Sequence, residues 1–162
     1  MMKMQFTKEQ TLAFTGHRFY EYRLHDKIVA RLTATILEAY ENGVRCFVSG
    51  FAMGFDLIAA ETVLAVKKIH PDICLVAVLP YREQSERYNQ YSKRKYDDLL
   101  SKADQTIVLS ENYYTRCFLD RDDFLVENSS MIVAYYDGRN RGGTFYTMNQ
   151  AERHKVPVVN LY

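Results

Sequence analysis

The chain has 162 residues, enough to bury one proper core, so one domain spanning 1–162 is expected, with residues 1–10 as a short N-terminal extension. Its 48% hydrophobic and 25% charged residues are ordinary for a soluble globular protein, and a net charge of +1 exerts no global pull on nucleic acid or an anionic membrane. No run approaches the roughly 18 apolar residues of a membrane span, the first ten residues lack the apolar stretch of a signal peptide, and Cys46, Cys74 and Cys117 lack metal-ligand spacing, which argues for a cytoplasmic protein without a metal site.

Strand and helix patterns alternate from end to end. Thr11–Thr15 reads as the first strand, and a helix from about Asp26 to Glu41 follows, with Ile28, Leu32 and Ile36 stacked at four-residue spacing and Asn42-Gly43 as its stop. Arg45–Ser49 is the second strand and Phe55–Lys68 the second helix. The third strand, Cys74–Leu79, is closed by Pro80, and a long helix is predicted over Ser85–Ala103 with Tyr88, Tyr91, Leu99 and Leu100 turned inward. Gln105–Leu109, a helix over Cys117–Asn128, the strand Met131–Tyr135, a helix over Phe145–His154 and the strand Pro157–Leu161 complete the series. Nearly continuous apolar strands are those covered by helices on both faces. The fold class is therefore α/β: a Rossmann-like three-layer α/β/α sandwich on a mainly parallel six-stranded sheet. Ligands of such sheets bind beyond the carboxyl ends of the strands, and in the common order 3-2-1-4-5-6 the loops after strands one, two and five lie on one arc.

Those loops hold the candidate ligand-binding residues. Five of the seven glycines sit in Ser49–Asp56 and Asp137–Thr144, each between a strand and a helix pattern. Glycine there lets a ligand approach the main chain, and the following helix offers free N–H groups to an anion. In the first loop, Thr15 and Gly16 open the backbone, Arg18 presents a planar fork for phosphate or carboxylate, and His17 can donate a hydrogen bond or shuttle a proton. In the second, Ser49, Gly50, Ala52 and Gly54 form a phosphate cradle. Asp56 either faces away as a helix cap or takes a ribose hydroxyl, since it would repel a phosphate at the same place. In the third, Gly142, Gly143 and Thr144 make a second cradle, Thr147 lies one turn on, and Asp137 can accept from a ribose or base. Arg139 and Arg141 add positive charge, and Lys93-Arg94-Lys95, flanked by Tyr91 and Tyr96, is a basic run of the kind that touches nucleic-acid backbone.

No P-loop lysine, dinucleotide fingerprint, Ser-His-Asp arrangement or His-Glu-x-x-His pair is present, which disfavours ATPase, dehydrogenase and zinc-hydrolase chemistry.

From Thr11 to Tyr162 the chain resembles the YpsA family, a branch of the SLOG superfamily related to the DprA/Smf and LOG proteins. The resemblance rests on Thr15-Gly16-His17-Arg18, the Ser49–Asp56 loop with Ala59-Ala60-Glu61, Leu79-Pro80-Tyr81, and Tyr135-Tyr136-Asp137-Gly138 leading to Gly142-Gly143-Thr144. It implies a Rossmann-like fold that holds a nucleotide or ADP-ribose-like ligand at the carboxyl edge, as a sensor would, with no other cofactor. LOG relatives cleave the N-glycosidic bond of nucleoside monophosphates with an arginine and a glutamate. Arg121 falls near that arginine, whereas Thr147, which has no carboxylate, stands at the glutamate position. Glycosidase activity through Arg121 is thus one alternative, and a single-stranded nucleic-acid-binding module of DprA type is another. LOG relatives also imply a homo-oligomer.

Overall fold

The structure, a computed structural model, describes residues 6–162; residues 1–5 of the expected N-terminal extension lie outside the described residues. Strands and helices alternate as β1 (Thr11–Gly16), α1 (His25–Glu41), β2 (Cys46–Ser49), α2 (Phe55–Lys67), β3 (Cys74–Leu79), α3 (Gln90–Lys102), β4 (Gln105–Val108), α4 (Cys117–Glu127), β5 (Met131–Tyr135), α5 (Gly143–Arg153) and β6 (Val158–Asn160). All the strand pairs are parallel.

Period-two alternation sorts each strand between two apolar layers. Leu12, Phe14, Phe47, Leu75 and Val133 meet Leu32, Ile36, Ile58 and Leu99 of α1, α2 and α3. Ala13, Val48, Val76 and Ile132 face the other way, onto Leu125, Val126 and Ala151 of α4 and α5. The result is the expected three-layer sandwich. Its three cysteines are buried and unbridged, and burial pushes the Cys46 thiol up to about 12. Among the described residues no helix is long and apolar enough to cross a membrane.

The strand order is β4-β3-β2-β1-β5-β6, which corrects the expected 3-2-1-4-5-6. Three successive crossovers carry the chain outward from β1 to β4 beneath one helical layer. The chain then returns through α4 on the opposite face, so that β5 pairs with the free edge of β1. The switch in direction falls between β1 and β5, and β2, β1 and β5 are immediate neighbours.

The helix expected over Ser85–Ala103 begins only at Gln90. Asn89 caps it, its side chain accepting from the Ser92 amide at 2.8 Å. Residues 80–89 form turns instead, because their polar groups are engaged elsewhere: Gln84 Nε2 donates to the Gly50 carbonyl at 2.9 Å and Tyr88 Oη to the Phe51 carbonyl at 3.0 Å. Tyr91, expected inward, points to solvent, while Tyr88, Leu99 and Leu100 pack on the core as predicted.

Candidate ligand site

Because β2, β1 and β5 are adjacent, the loops that follow them meet at one rim. The His17 amide donates to the Tyr135 carbonyl at 3.2 Å, and the Phe55 amide donates to the His17 carbonyl at 3.1 Å, which ties all three loops together. Between them lies a hollow of about 520 Å³. Thr15, Gly16, His17 and Arg18 line it from the first loop, and Ala52 and Asp56 from the second. Gly142, Gly143 and Thr144 line it from the third.

The second loop is closed upon itself. Ser49 is fully buried; its hydroxyl donates to the Asp56 carbonyl at 2.9 Å and accepts from the Phe51 amide at 3.2 Å. The Gly50 carbonyl accepts from Arg121 Nη1 at 2.7 Å as well as from Gln84. Gly54 has φ +82°, and a Cβ there would stand 2.2 Å from the Arg18 carbonyl oxygen. Ser49, Gly50 and Gly54 therefore sit behind the hollow and shape it without lining it.

The third loop is open. Gly142, with φ +95° and ψ 177°, precedes α5 without any side-chain cap, and among the described residues nothing beyond its own chain neighbours lies within 4 Å of where its Cβ would be. The first intrahelical amide bond is Tyr146 to the Gly142 carbonyl, so the amides of Gly143, Thr144 and Phe145 have no helical acceptor. Thr147 is buried one turn behind and donates to the Gly143 carbonyl at 3.0 Å.

Charges divide between floor and rim. Arg121 is buried, its Nε 2.9 Å from Asp122 Oδ1, and both line the hollow. Asp56, only 5% exposed, accepts the Ala52 amide at 3.3 Å through Oδ2, and its Oδ1 has no hydrogen-bond partner among the described residues. It does not cap α2. Burial pushes the Asp56 carboxyl up to about 7, with Arg121 opposing the rise. Burial raises Asp122 too, again against Arg121. At the rim stand Arg139, Arg141 and Arg18, whose Cζ lies 5.7 Å from the centre of the Phe118 ring.

Asp137 lies beside the hollow and does not line it. Its carboxylate is clamped by Arg139, which holds it well below the usual carboxylate range. Asp137 Oδ1 also lies 3.0 Å from His17 Nε2, while the Asp137 amide points at that same nitrogen from 2.9 Å. A proton on Nε2 serves the carboxylate and a lone pair serves the amide, so the two contacts are alternatives. Lys95 of the basic run pairs with Glu61 at 3.2 Å, and Lys93 reaches Ser85.

Asp122 is not among the residues expected from the sequence, where its one signal is adjacency to Arg121 in the middle of a helix. Neither are Phe118 and Phe19, which complete the wall of the hollow.

A family profile described as the YspA SLOG family (YpsA) matches residues 12–158. A UPF0398 protein of Halalkalibacterium halodurans is 30% identical over 122 residues, covering 74% of this chain and 65% of that protein. The UPF0398 protein YpsA of Bacillus subtilis is 23% identical over 155 residues, covering 90% of this chain and 86% of its own. Among solved structures, DNA processing protein A of Helicobacter pylori, described for its single-stranded DNA binding mode, matches with TM-score 0.62 and 19% identity over 93% of this chain and 64% of that one. The corresponding protein of Streptococcus pneumoniae matches with TM-score 0.63 and 18% identity over 91% of this chain and 48% of that one. At such identities these two share the fold. The chain spans just under two thirds of the first relative, and two thirds or less of either DNA processing protein.

Proposed function

The chain belongs to the YspA SLOG family, and from that premise we propose that it binds a nucleotide or nucleotide-derived ligand at the carboxyl edge of its sheet, as a cytoplasmic sensor domain. The observation that carries this reading is the uncapped N-terminus of α5, which offers the amides of Gly143 and Thr144 to the hollow. Free amides at the positive end of a helix dipole favour a phosphate, and Arg18 and Arg141 at the rim supply countercharge around it, Arg139 being engaged by Asp137. The Oδ1 of Asp56 is a buried acceptor without a donor among the described residues. A ribose hydroxyl would satisfy it, which puts the sugar over the second loop and the phosphate over the third. A volume of about 520 Å³ lies within the range of small-molecule sites.

Binding is favoured over glycosidic hydrolysis because Arg121 is already held by Gly50 and Asp122, and because Thr147 supplies no carboxylate and is turned to the Gly143 carbonyl.

Thermal unfolding with adenosine monophosphate and ADP-ribose tests the reading. The melting temperature should rise with ligand concentration, since stabilisation grows as RT ln(1 + [L]/Kd). Gly143→Asp, which sets a carboxylate against the phosphate position, should cancel the rise. No shift with either ligand, or with a wider set of purine and pyrimidine nucleotides at millimolar concentration, would remove it.

A further inference from the structure

Arg18 does not belong to one hollow alone. It and Phe19 also line a second hollow of about 280 Å³ on the far side of the first loop, which continues to Tyr22, Tyr91 and Lys95. The rings there are bare: Phe19 is 81% exposed, Tyr22 84% and Tyr91 75%. Tyr22 is moreover stacked on the His25 ring at 5.7 Å, and that ring is held by the Tyr20 hydroxyl, 3.1 Å from its Nδ1. Three large exposed rings beside Arg18 form the kind of aromatic patch that marks a binding surface, and a flat anionic ligand would match both the rings and the guanidinium. A third hollow, which Arg18 also lines, makes the contrast. Its rings are already committed to one another, Tyr81 packing on Tyr113 at 5.6 Å and on Phe118 at 6.1 Å.

The geometry points to a ligand made of two nucleosides joined through phosphate, its linkage crossing Arg18 and its second base stacked on Tyr22 and Tyr91. This deepens the nucleotide reading and rests on it. The first nucleoside lies in the larger hollow, with Asp56 and the α5 N-terminus. Arg18, common to both hollows, faces the bridging phosphate with its guanidinium. Lys95, held by Glu61 at 3.2 Å, stands at the outer end. Base–aromatic stacking tolerates any base, so this second position selects for length and charge more than for sequence. Two sources share that chemistry, a pyrophosphate-linked dinucleotide and the end of a single strand joined by phosphodiesters.

The experiment compares the affinities of three probes for the full chain by calorimetry: adenosine monophosphate, diadenosine diphosphate linked through pyrophosphate, and the deoxy dinucleotide d(pApA). One added stacking contact should tighten binding roughly ten-fold over the monophosphate. Whichever two-nucleoside probe gains the advantage assigns the linkage. Tyr22→Ala and Tyr91→Ala, both at solvent-exposed rings, should abolish the advantage and leave the monophosphate affinity and the melting temperature unchanged. If the monophosphate binds and neither longer probe binds tighter, or if the advantage survives both substitutions, this inference falls while the nucleotide reading stands. If none of the three binds, both fall together.

Discussion

The second and third loops look alike as sequence and differ as structure. Each follows a strand, carries glycines between strand and helix pattern, and leads into a helix. In the second, the glycines are there for the protein itself. A Cβ on Gly50 would lie 2.5 Å from Arg121 Nη1, and one on Gly54 would lie 2.2 Å from the Arg18 carbonyl oxygen. In the third, among the described residues a Cβ on Gly142 would meet nothing beyond its own chain neighbours within 4 Å, and the nearest neighbour of a Cβ on Gly143 is Asp122 Oδ2 at 3.6 Å, an ordinary contact. The second loop is a joint, where β1, β2 and α4 are fastened together, and the third is a mouth. A glycine-bearing strand-to-helix turn thus marks close approach by something, and only the surrounding packing says whether that something is the chain or a ligand.

Alanine at matched positions tests that distinction, and Gly54→Ala should have the largest effect. Gly54 and Gly142 both have backbone angles that essentially only glycine adopts, which alone costs on the order of 1–3 kcal/mol for alanine. At Gly54 the added methyl also meets main-chain oxygen that cannot swing away. We expect a loss of roughly 4 kcal/mol or more there against about 2 kcal/mol at Gly142, with Gly50→Ala falling between as it dislodges the buried guanidinium. Urea unfolding of the three variants reads this directly. Equal losses at Gly54 and Gly142 would mean that the second loop is no tighter than the third.

Much of this architecture is legible before any coordinates. Apolar runs such as Cys74–Leu79 and Met131–Tyr135 are bounded by local signals, Pro80 in the one case and the turn around Asp137-Gly138 in the other, and these strands have the predicted limits. The strand order is not local. It depends on which edge of the sheet α4 returns to, and nothing in the Gln105–Glu127 stretch encodes that edge. Residues 85–89 have helical composition, yet Gln84 and Tyr88 find acceptors on Gly50 and Phe51, and tertiary hydrogen bonds override propensity there. The same limit governs the site. That Thr15, Gly16 and Arg18 share a rim with Gly142 and Gly143 follows from strand ends lying on one edge. That Gly50 is occupied by Arg121 depends on a contact spanning 71 residues, which glycine spacing cannot report.

Asp56 is the point at which the closed loop touches the open hollow, and its titration sharpens the comparison. Burial raises its carboxyl from the ordinary 3.8 to about 7, so between those values the folded chain holds a proton that the unfolded chain has released. Its contribution to stability is therefore full below about pH 4, declines as pH rises, and levels off above about pH 7. Between pH 6 and pH 8 the expected loss is about 1 kcal/mol. Asp56→Asn removes the titrating group while keeping an acceptor for the Ala52 amide, so its stability should be flatter over that interval and should exceed that of the parent at pH 8. A parent profile that is flat from pH 5 to pH 8, or one that rises, would place the carboxylate in contact with water and part of the open mouth after all.

The smallest effect is expected at Gly143, and it is the most informative about the mouth. Gly143 is the first residue of α5, and its φ lies outside the left-handed region, so alanine meets no backbone strain there. Its methyl would rest 3.6 Å from Asp122 Oδ2. Replacing glycine by alanine at a compatible position also restricts the unfolded chain, which stabilises by roughly 0.4–1 kcal/mol. Offset by the slight crowding at Asp122, the net change should lie within about 0.5 kcal/mol of zero. Nucleotide affinity behaves differently, because a methyl beside the α5 amides narrows the approach of a phosphate without adding charge. Gly143→Ala should therefore weaken ligand binding measurably while leaving the unfolding midpoint in place, a separation that no substitution in the second loop can produce. If Gly143→Ala instead loses stability on the scale of Gly50→Ala, then the third loop is a joint like the second, and its free amides are closed by the protein in solution.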